Sequence, residues 1–187
     1  MVAEQAEGLI SRISRGDREA LVCLFEQNRR ALLSYLWTIT SDYSLAEEIL
    51  QDTLFAIWRG AGTFQGSSSA RTWMFAIARR RARDQLRKRA VPTTDPRALD
   101  AVPSREPDPF DQAIASARED RLVELIGELS IEHREALLLT FLHGFSYQEL
   151  AEVLGVPIGT VKSRLFAAKR ALRERLEGDR HAERAPR

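Results

Sequence analysis

Apolar residues recur at intervals of three and four along most of the chain, and no segment alternates apolar and polar residues like a half-buried strand. The pattern predicts a short first helix, a break at Gly16 and Asp17, and a longer second helix that ends near Ile39. Further helices are predicted at about 45–60, 70–89, 112–128, 131–142, 147–154 and 157–175. The sequence therefore predicts an all-α protein.

Two serine and glutamate pairs mark helix starts more closely. Ser44 with Glu47, and Ser146 with Glu149, have capping-box spacing, in which each side chain satisfies a backbone amide left open in the first helical turn. The pairs predict helices that begin at about residues 45 and 147.

A proline-rich segment divides the chain. Five of the seven prolines lie between Pro92 and Pro109, in a stretch that is poor in apolar residues and has no helical or strand period. This composition is typical of a linker. We therefore expect two small helical domains at residues 1–90 and 112–178, a flexible linker at 91–111 and a disordered tail at 179–187.

The composition, with 44% apolar and 29% charged residues, is that of a soluble globular protein. The sequence contains no apolar run of about 18 residues and no charged and then apolar amino terminus, so neither a membrane span nor a signal peptide is predicted. A cytoplasmic protein is expected. The single cysteine, Cys23, excludes an internal disulfide and is expected to pack in the core.

The formal net charge of +1 conceals two basic segments. Eight cations and one acid lie between Arg71 and Arg89, and six cations and one acid lie between Val156 and Arg175. Local clusters of this kind, rather than net charge, favour binding to nucleic acid.

The helix predicted at 157–175 has an apolar face and a cationic face. At 100° per residue, one narrow arc contains Val161, Leu165, Ala168 and Leu172. The other side carries Lys162, Phe166, Lys169, Arg170 and Arg173. We expect the first set to be buried and the second to face solvent or a partner.

Three residues around the start of this helix have the spacing of a helix-turn-helix. Ala151 allows two helices to approach closely, Gly155 suits the turn four residues later, and Val161 is a core anchor six residues beyond. The second helix of such a motif lies in the major groove of DNA. The alternative is a structural helical hairpin with a solvated cationic face.

The helix predicted at 70–89 repels itself electrostatically. Met74, Ile77 and Ala78 share one face. Four arginines cluster within about 100° on the opposite face, namely Arg79, Arg80, Arg83 and Arg87. Neutralisation of this face by phosphates would relieve the repulsion. The alternative is a solvated face or a surface that binds a protein tail.

A small, polar loop precedes the basic helix predicted at 70–89. It is predicted at Gly60 to Ser69, and the segment FQGSSSA leads from it into the helix at Ala70. Because its residues are small and polar, a flipped base or a single strand could approach its backbone. Loop and basic helix together favour contact with melted DNA.

The order of these segments along the chain points to a protein family more specifically than any one segment does. The chain contains "LAEEILQDTLFAIWR", then the serine-rich loop, "RTWMFAIARRRARDQLRKR", the proline-rich linker and "SYQELAEVLGVPIGTVKSRLF". This order resembles the extracytoplasmic-function (ECF) group of bacterial sigma factors from about residue 15 to residue 177. The resemblance implies a first domain of the region 2 type and a second domain of the region 4 type.

The resemblance also implies roles for individual residues. The surface that faces the clamp helices of core RNA polymerase would include Glu48, Gln51, Asp52 and Trp58. The minus-ten element would be melted and held by Phe64, Gln65, Gly66, Ser67, Ser68, Arg71, Arg79, Arg80 and Arg83. The minus-thirty-five element would contact Lys162, Ser163, Arg164, Phe166, Lys169 and Arg170. Capture of unpaired bases shifts a melting equilibrium, so promoter opening needs no ATP.

The expected partners are core RNA polymerase, promoter DNA and an anti-sigma factor, and no metal or cofactor is expected. A DNA-binding regulator that needs no polymerase is one alternative, but it leaves the first domain unexplained. An interaction scaffold with acidic partners is another. An enzyme is disfavoured because His133, His143 and His181 are not spaced for a metal site, and no catalytic triad or phosphate loop is legible. We expect His133 and His143 to lie on helix surfaces.

Overall fold

A computed structural model describes residues 2–89 and 119–184, so the linker predicted at 91–111 lies outside the described residues. Within the described ranges the chain is helical and contains no strand, which confirms the predicted all-α fold. The helices are α1 (Val2–Ile13), α2 (Arg18–Thr40), α3 (Tyr43–Gly60), α4 (Ala70–Arg89), α5 (Glu119–Gly127), α6 (Ile131–Leu137), α7 (Tyr147–Leu154) and α8 (Ile158–Arg184). A 3₁₀ turn, Ala61–Thr63, follows α3, and a π turn, Leu138–Leu142, extends α6.

The predicted break between α1 and α2 is confirmed. Gly16 has a φ of +88°, a conformation that glycine adopts at little cost. The carboxylate of Asp17 then caps α2 by accepting a hydrogen bond from the amide of Ala20 at 3.0 Å. Arg12 donates to the same carboxylate at 2.8 Å, and together these bonds hold the pKa of Asp17 below its ordinary value of 3.8.

The predicted capping role of Ser44 is wrong. α3 begins two residues earlier than expected, and its N-cap is Asp42, whose carboxylate accepts a hydrogen bond from the amide of Leu45 at 3.0 Å. Ser41 ends α2 in a left-handed conformation, with a φ of 55°, and leaves Asp42 extended, as an N-cap residue requires. The predicted start of α7 at Tyr147 is confirmed.

The first compact unit contains α1 to α4 together with residues 148–156. α2 packs against α1, α3 and α4, and α4 also packs against α1 and α3. Tyr35 of α2 and Phe75 of α4 are both fully buried, with ring centroids 5.5 Å apart. The core of this unit therefore fixes α4, the first basic helix, against three neighbours.

Residues 148–156 group with the first unit, whereas the sequence prediction placed them in the second domain, at 112–178. Polar contacts between this segment and α4, described below, account for the difference. They join residues about 75 positions apart in the chain, which no local sequence pattern reveals.

In the second compact unit, α8 packs against α5 and α6. The predicted apolar face of α8 is confirmed, since Val161, Leu165, Ala168 and Leu172 are at most 3% exposed. Arg175 of α8 and Glu128, just after α5, form an ion pair with an N to O distance of 3.3 Å. This packing holds the opposite face of the helix outward.

Three smaller expectations are corrected. α8 continues to Arg184, so residues 179–184 of the predicted disordered tail are helical. Cys23 is exposed on α2 rather than packed in the core. His143 is buried, at 7% exposure, rather than on a helix surface, and it directly follows the π turn, with its amide donating to the carbonyl of Leu138. His133 is half-buried at the start of α6.

Candidate nucleic-acid interface

One stripe of α4 is buried and includes an arginine. Phe75, Ala78 and Ala82 are fully buried, and Arg79 is only 8% exposed on the same stripe. Arg80 and Arg83 are exposed. The prediction that Arg79 shares a solvent-facing surface with Arg80 and Arg83 is therefore wrong for the described conformation, because position 79 falls beside the apolar positions 75, 78 and 82.

Hydrogen bonds explain why Arg79 can be buried. Its Nη1 donates to the carbonyl oxygen of Leu154 at 2.9 Å. α7 ends there in a glycine cap, in which Gly155 has a φ of +61° and donates to Glu152, while Val156 donates to Ala151 at 3.1 Å. That cap does not use the carbonyl of Leu154. A cation is favoured at this position by the negative end of the helix dipole.

Arg71, the second residue of α4, is half-buried. Its guanidinium lies over the ring of Phe75, 5.6 Å from the centroid. Burial lowers the pKa of Arg71, and the charge of Glu149 partly offsets that effect. Thr72, which is buried, donates its hydroxyl to a carboxylate oxygen of Glu149 at 3.4 Å. The start of α4 is thus tied to residue 149.

The loop ahead of α4 is anchored by an aromatic pair. Phe64 and Trp73 have ring centroids 5.2 Å apart, and both are half-buried. The indole of Trp73 also lies against Gly60, where an added Cβ would be 3.3 Å from the ring. Phe64 therefore holds the loop in place and presents part of its ring only.

Beyond Phe64 the loop is open. Gln65, Gly66 and Ser67 are exposed, and Gly66 has a φ of +69°. The loop ends at Ser69, whose hydroxyl accepts a hydrogen bond from the amide of Thr72 at 3.1 Å and so caps α4. The chain thus presents a short polar backbone segment directly ahead of the basic helix.

The acidic face predicted on α3 is present. Glu48, Gln51 and Asp52 are exposed, whereas Trp58 is half-buried. Phe55 lies on the same face, one turn after Gln51 and Asp52, and is 63% exposed. Phe55 was not among the residues predicted for this face, although its spacing of three and four residues from Asp52 and Gln51 places it there.

One of these acidic residues is already engaged. Arg89, at the end of α4, lies 3.6 Å from Glu48 and 3.4 Å from Asp42, measured between nitrogen and carboxylate oxygen. Gln85 donates to Glu48 at 3.5 Å. These exposed contacts hold the end of α4 against the start of α3 and leave Asp52 and Phe55 as the better-placed partner contacts.

The outer face of α8 presents the residues that the sequence predicted there. Lys162, Phe166 and Arg170 are exposed, and Phe166 is 38% exposed. Ser163 is half-buried and donates its hydroxyl to the carbonyl of Thr160 at 3.0 Å. Arg170 approaches Glu174 at 3.7 Å, a contact along the helix that solvent screens.

Two further cations of α8 are less available. Arg164 is half-buried, with its Nη1 atom fully enclosed. Lys169 places its ammonium 5.1 Å from the ring centroid of Phe141, which is 50% exposed. Phe141 was not singled out from the sequence, because its place beside the cationic face depends on the π turn. Lys162, Phe166 and Arg170 are thus the most accessible of the predicted contacts.

None of the helices in the described ranges is long and apolar enough to cross a membrane.

Two family models match the chain, one over the first unit's surfaces and one over the helix α8 and its neighbours. The model described as Sigma-70 region 2 matches residues 24–91, which include α3, the loop and α4. The model described as Sigma-70, region 4 matches residues 119–172, which include α7 and most of α8. A chain that is helical throughout its described ranges and matches these two regions is of the sigma-70 class.

Named relatives narrow the class from sigma-70 factors in general to one group of them. The ECF RNA polymerase sigma factor RpoE of Cereibacter sphaeroides is 34% identical over 161 residues, which are 86% of this chain and 88% of that protein. The RNA polymerase sigma-H factor of Pseudomonas aeruginosa is 29% identical over 186 residues, with 95% and 96% covered. The chain belongs to the ECF RNA polymerase sigma factors.

A solved structure is also similar. The sigma factor RpoE of Bartonella quintana, in complex with the anti-sigma factor NepR, matches with a TM-score of 0.63 at 28% identity. The match covers 82% of this chain and 94% of that one.

Proposed function

We propose that this protein binds core RNA polymerase and directs it to promoters, with residues 1–90 as the region 2 domain and 112–178 as the region 4 domain. It acts by binding rather than by catalysis, and it acts in the cytoplasm, where polymerase and chromosome are. One observation supports the proposal most strongly. Within one unit, the exposed acidic and aromatic face of α3 is followed by a polar loop anchored at Phe64 and then by the arginine-rich helix α4.

The contact with polymerase is assigned to α3. Asp52 and Gln51 supply charge and hydrogen bonding, and Phe55 supplies an apolar anchor of the kind that dominates interface energies. Glu48 contributes after release from Arg89, and half-buried Trp58 supports the helix from behind. Charged rim residues mainly set orientation and association rate.

Minus-ten recognition is assigned to the loop and α4. The exposed backbone at Gln65 to Ser67 suits an unstacked base, and half-buried Ser68 follows it in the loop. Arg80 and Arg83 face solvent and can hold phosphates, which makes binding strongly dependent on salt. The base is held in the captured state by binding energy alone, so no nucleotide hydrolysis is involved.

Minus-thirty-five recognition is assigned to α8. Lys162 can donate to a guanine edge and Phe166 can contact a thymine methyl, while Arg170 reaches a phosphate. Ser163, Arg164 and Lys169 are half-buried, so they are proposed to make weaker contacts with the DNA than the three exposed residues. The apolar stripe on the opposite side of α8 fixes the direction in which these residues point.

An anti-sigma factor is the proposed inhibitor. The support is the solved relative at 28% identity, which is bound to one.

The decisive experiment is run-off transcription with core polymerase on a fragmented genomic library, with native co-purification as the binding assay. Start sites that share two spaced elements are expected. A matched pair of variants, Phe166→Ala and the distant Val22→Ala, tests specificity, since only the first should reduce initiation. Binding to duplex DNA without polymerase association or initiation would replace this proposal with a polymerase-independent regulator.

A further inference from the structure

Phe141 lies in the second compact unit, beside the face of α8 that the proposed function assigns to the minus-thirty-five element. Its ring centroid is 5.1 Å from the ammonium of Lys169, within the distance of about 6 Å at which an aromatic face attracts a cation. Phe141 is 50% exposed and Lys169 is half-buried. The contact joins a residue outside α8 to a cation of the proposed DNA-binding surface.

We propose that Phe141 is a positioning residue for promoter binding, whose ring holds the ammonium of Lys169 where it can donate to a phosphate beside the minus-thirty-five element. The inference rests on the proposed function, because Lys169 is one of the residues assigned to that element. It adds a residue of the π turn to the DNA-binding surface, and it assigns Lys169 to the DNA backbone rather than to a base.

The π turn fixes the backbone on both sides of Phe141. The amide of His143 donates to the carbonyl of Leu138 at 3.0 Å, and the amide of Phe145 donates to the carbonyl of Leu139 at 2.9 Å. Leu139, His143 and Phe145 are buried. Turns of the π type inside helices are rare and occur frequently at functional sites. The ring of Phe141 is therefore mounted on an ordered backbone, although half of the residue faces solvent.

Lys169 continues the line of Lys162 along α8. Seven residues, close to two full helical turns, separate the two, so they lie on the same side of the helix and about 10 Å apart along its axis. A helix in the major groove contacts base edges with its N-terminal residues, and the groove is about 12 Å wide. With Lys162 at a base edge, as the proposed function has it, Lys169 lies near the phosphates that border the groove.

A lysine benefits from such a support because its ammonium is carried on a flexible four-carbon stem. Ordering that stem at an interface costs conformational entropy, and the ring of Phe141 reduces the cost by restricting the ammonium before DNA binds. An ammonium has three N–H donors, so it can lie against a ring and donate to a phosphate at the same time. The aromatic contact therefore assists the phosphate contact rather than replacing it.

The first test is a double-mutant cycle between positions 141 and 169. The holoenzyme, formed from the full chain and core polymerase, is titrated with a double-stranded promoter fragment selected by run-off transcription. We expect Phe141→Leu, which removes the ring but keeps an apolar side chain, to weaken binding by about two- to fivefold, the range of an exposed cation–π contact. In a Lys169→Met background, Phe141→Leu should have no further effect.

Two further variants separate positioning from a structural role. Phe141→Tyr keeps an aromatic face and is expected to bind DNA as the natural chain does. Leu142→Ala, at a neighbouring position that is 60% exposed in the same π turn, is the matched control and should leave DNA binding unchanged. Thermal unfolding of each variant verifies that the second unit is folded.

The second test measures the dependence of binding on salt. Loss of one phosphate contact reduces the slope of log affinity against log salt concentration by about one. We expect that reduction for Lys169→Met and a smaller reduction for Phe141→Leu, because the lysine is then present but less ordered. A structural role for Phe141 would lower the unfolding temperature and leave the slope unchanged.

Three results would overturn the proposal. Tighter binding by Phe141→Leu would mean that the ring withholds Lys169 from DNA. Additive losses in the double variant, or an equal loss with Leu142→Ala, would mean that Phe141 does not act through Lys169. Weaker binding of Phe141→Leu to core polymerase, with DNA binding unchanged, would assign the ring to a protein contact.

The two proposals fail in distinguishable ways. If the chain directs initiation and Phe141→Leu leaves promoter affinity and salt slope unchanged, the positioning role is wrong and the proposed function stands. If no form of the chain directs initiation, the proposed function fails. The same cycle, run on the free full chain with double-stranded DNA of random sequence, then decides whether Phe141 positions Lys169, because a phosphate contact does not depend on sequence.

Discussion

The carboxylate of Asp42 accepts a hydrogen bond from the amide of Leu45 at 3.0 Å, and this bond, rather than one from Ser44, starts the helix that faces polymerase in the proposed function. We expect Asp42→Ala to lower the free energy of unfolding by about 1 kcal/mol, the usual cost of losing an N-cap. Ser44→Ala should change it by no more than a few tenths. Urea denaturation of both variants measures the difference, and equal losses would restore Ser44 as the cap.

Gly155 and Gly159 should respond to alanine in opposite directions. Gly155 has a φ of +61°, so Gly155→Ala is expected to destabilise the protein by about 1 kcal/mol. Gly159 lies in the first turn of α8 with no atom within 4 Å of an added Cβ, so Gly159→Ala should stabilise by about 0.5 kcal/mol. Thermal unfolding with both variants tests this, and a shared sign would contradict it.

The two faces of α8 should separate stability from DNA binding. Leu172 is fully buried, and Leu172→Ala is expected to cost about 2–5 kcal/mol. Phe166 is 38% exposed, so Phe166→Ala should leave stability nearly unchanged and reduce binding to minus-thirty-five DNA. Chemical denaturation and a gel-shift assay with a selected promoter fragment make the comparison. Strong destabilisation by Phe166→Ala would mean that its ring packs inward.

Phe55 is expected to be an anchor for polymerase. Phe55→Ala should weaken core binding by about tenfold, a typical loss for an exposed aromatic at the centre of an interface. Charge reversal at Asp52 should mainly slow association, because rim charges act on encounter. Val22, which is 59% exposed on α2, provides the matched control as Val22→Ala. Surface plasmon resonance with immobilised core polymerase separates the rates, and unchanged affinity of Phe55→Ala would remove α3 from the interface.

His133 should make the second unit sensitive to mild acid. Burial lowers the pKa of His133 from its ordinary value of 6.5, Arg164 lowers it further, and Glu132 opposes both. Because the folded pKa lies below the unfolded one, the neutral form contributes stability above pH 6.5 that is lost as the pH falls through the folded pKa. His133→Gln should therefore lose less stability on acidification. Nuclear magnetic resonance titration gives the pKa directly, and a value above 6.5 would reverse the sign.

Local sequence chemistry predicted the helices well. The break at Gly16 and Asp17, the start of α7 and the buried stripe of α8 all follow from residues within one or two turns of each other. Such features depend on capping and periodicity, which the sequence carries directly. The error at Ser44 has the same origin, since Asp42 offers an equally good cap two residues earlier.

The candidate site was less predictable where contacts are distant in sequence. An arginine is normally predicted to be exposed. The burial of Arg79 depends on a hydrogen bond to the carbonyl of Leu154, 75 residues away in the chain. The exposure of Cys23 likewise depends on which side of α2 is left uncovered by its neighbours. In both cases tertiary packing, which periodicity does not encode, decided the outcome.

The indole of Trp73 touches both the last residue of α3 and the first aromatic of the following loop. The connection between α3 and α4 therefore packs against the indole at Gly60 and again at Phe64. The stretch from Gln65 to Ser69 lies beyond these two contacts. In the proposed function a base enters a loop in which five residues, 65–69, separate the anchored Phe64 from α4, so the cost of reshaping is expected to fall on those few peptide units and not on α3.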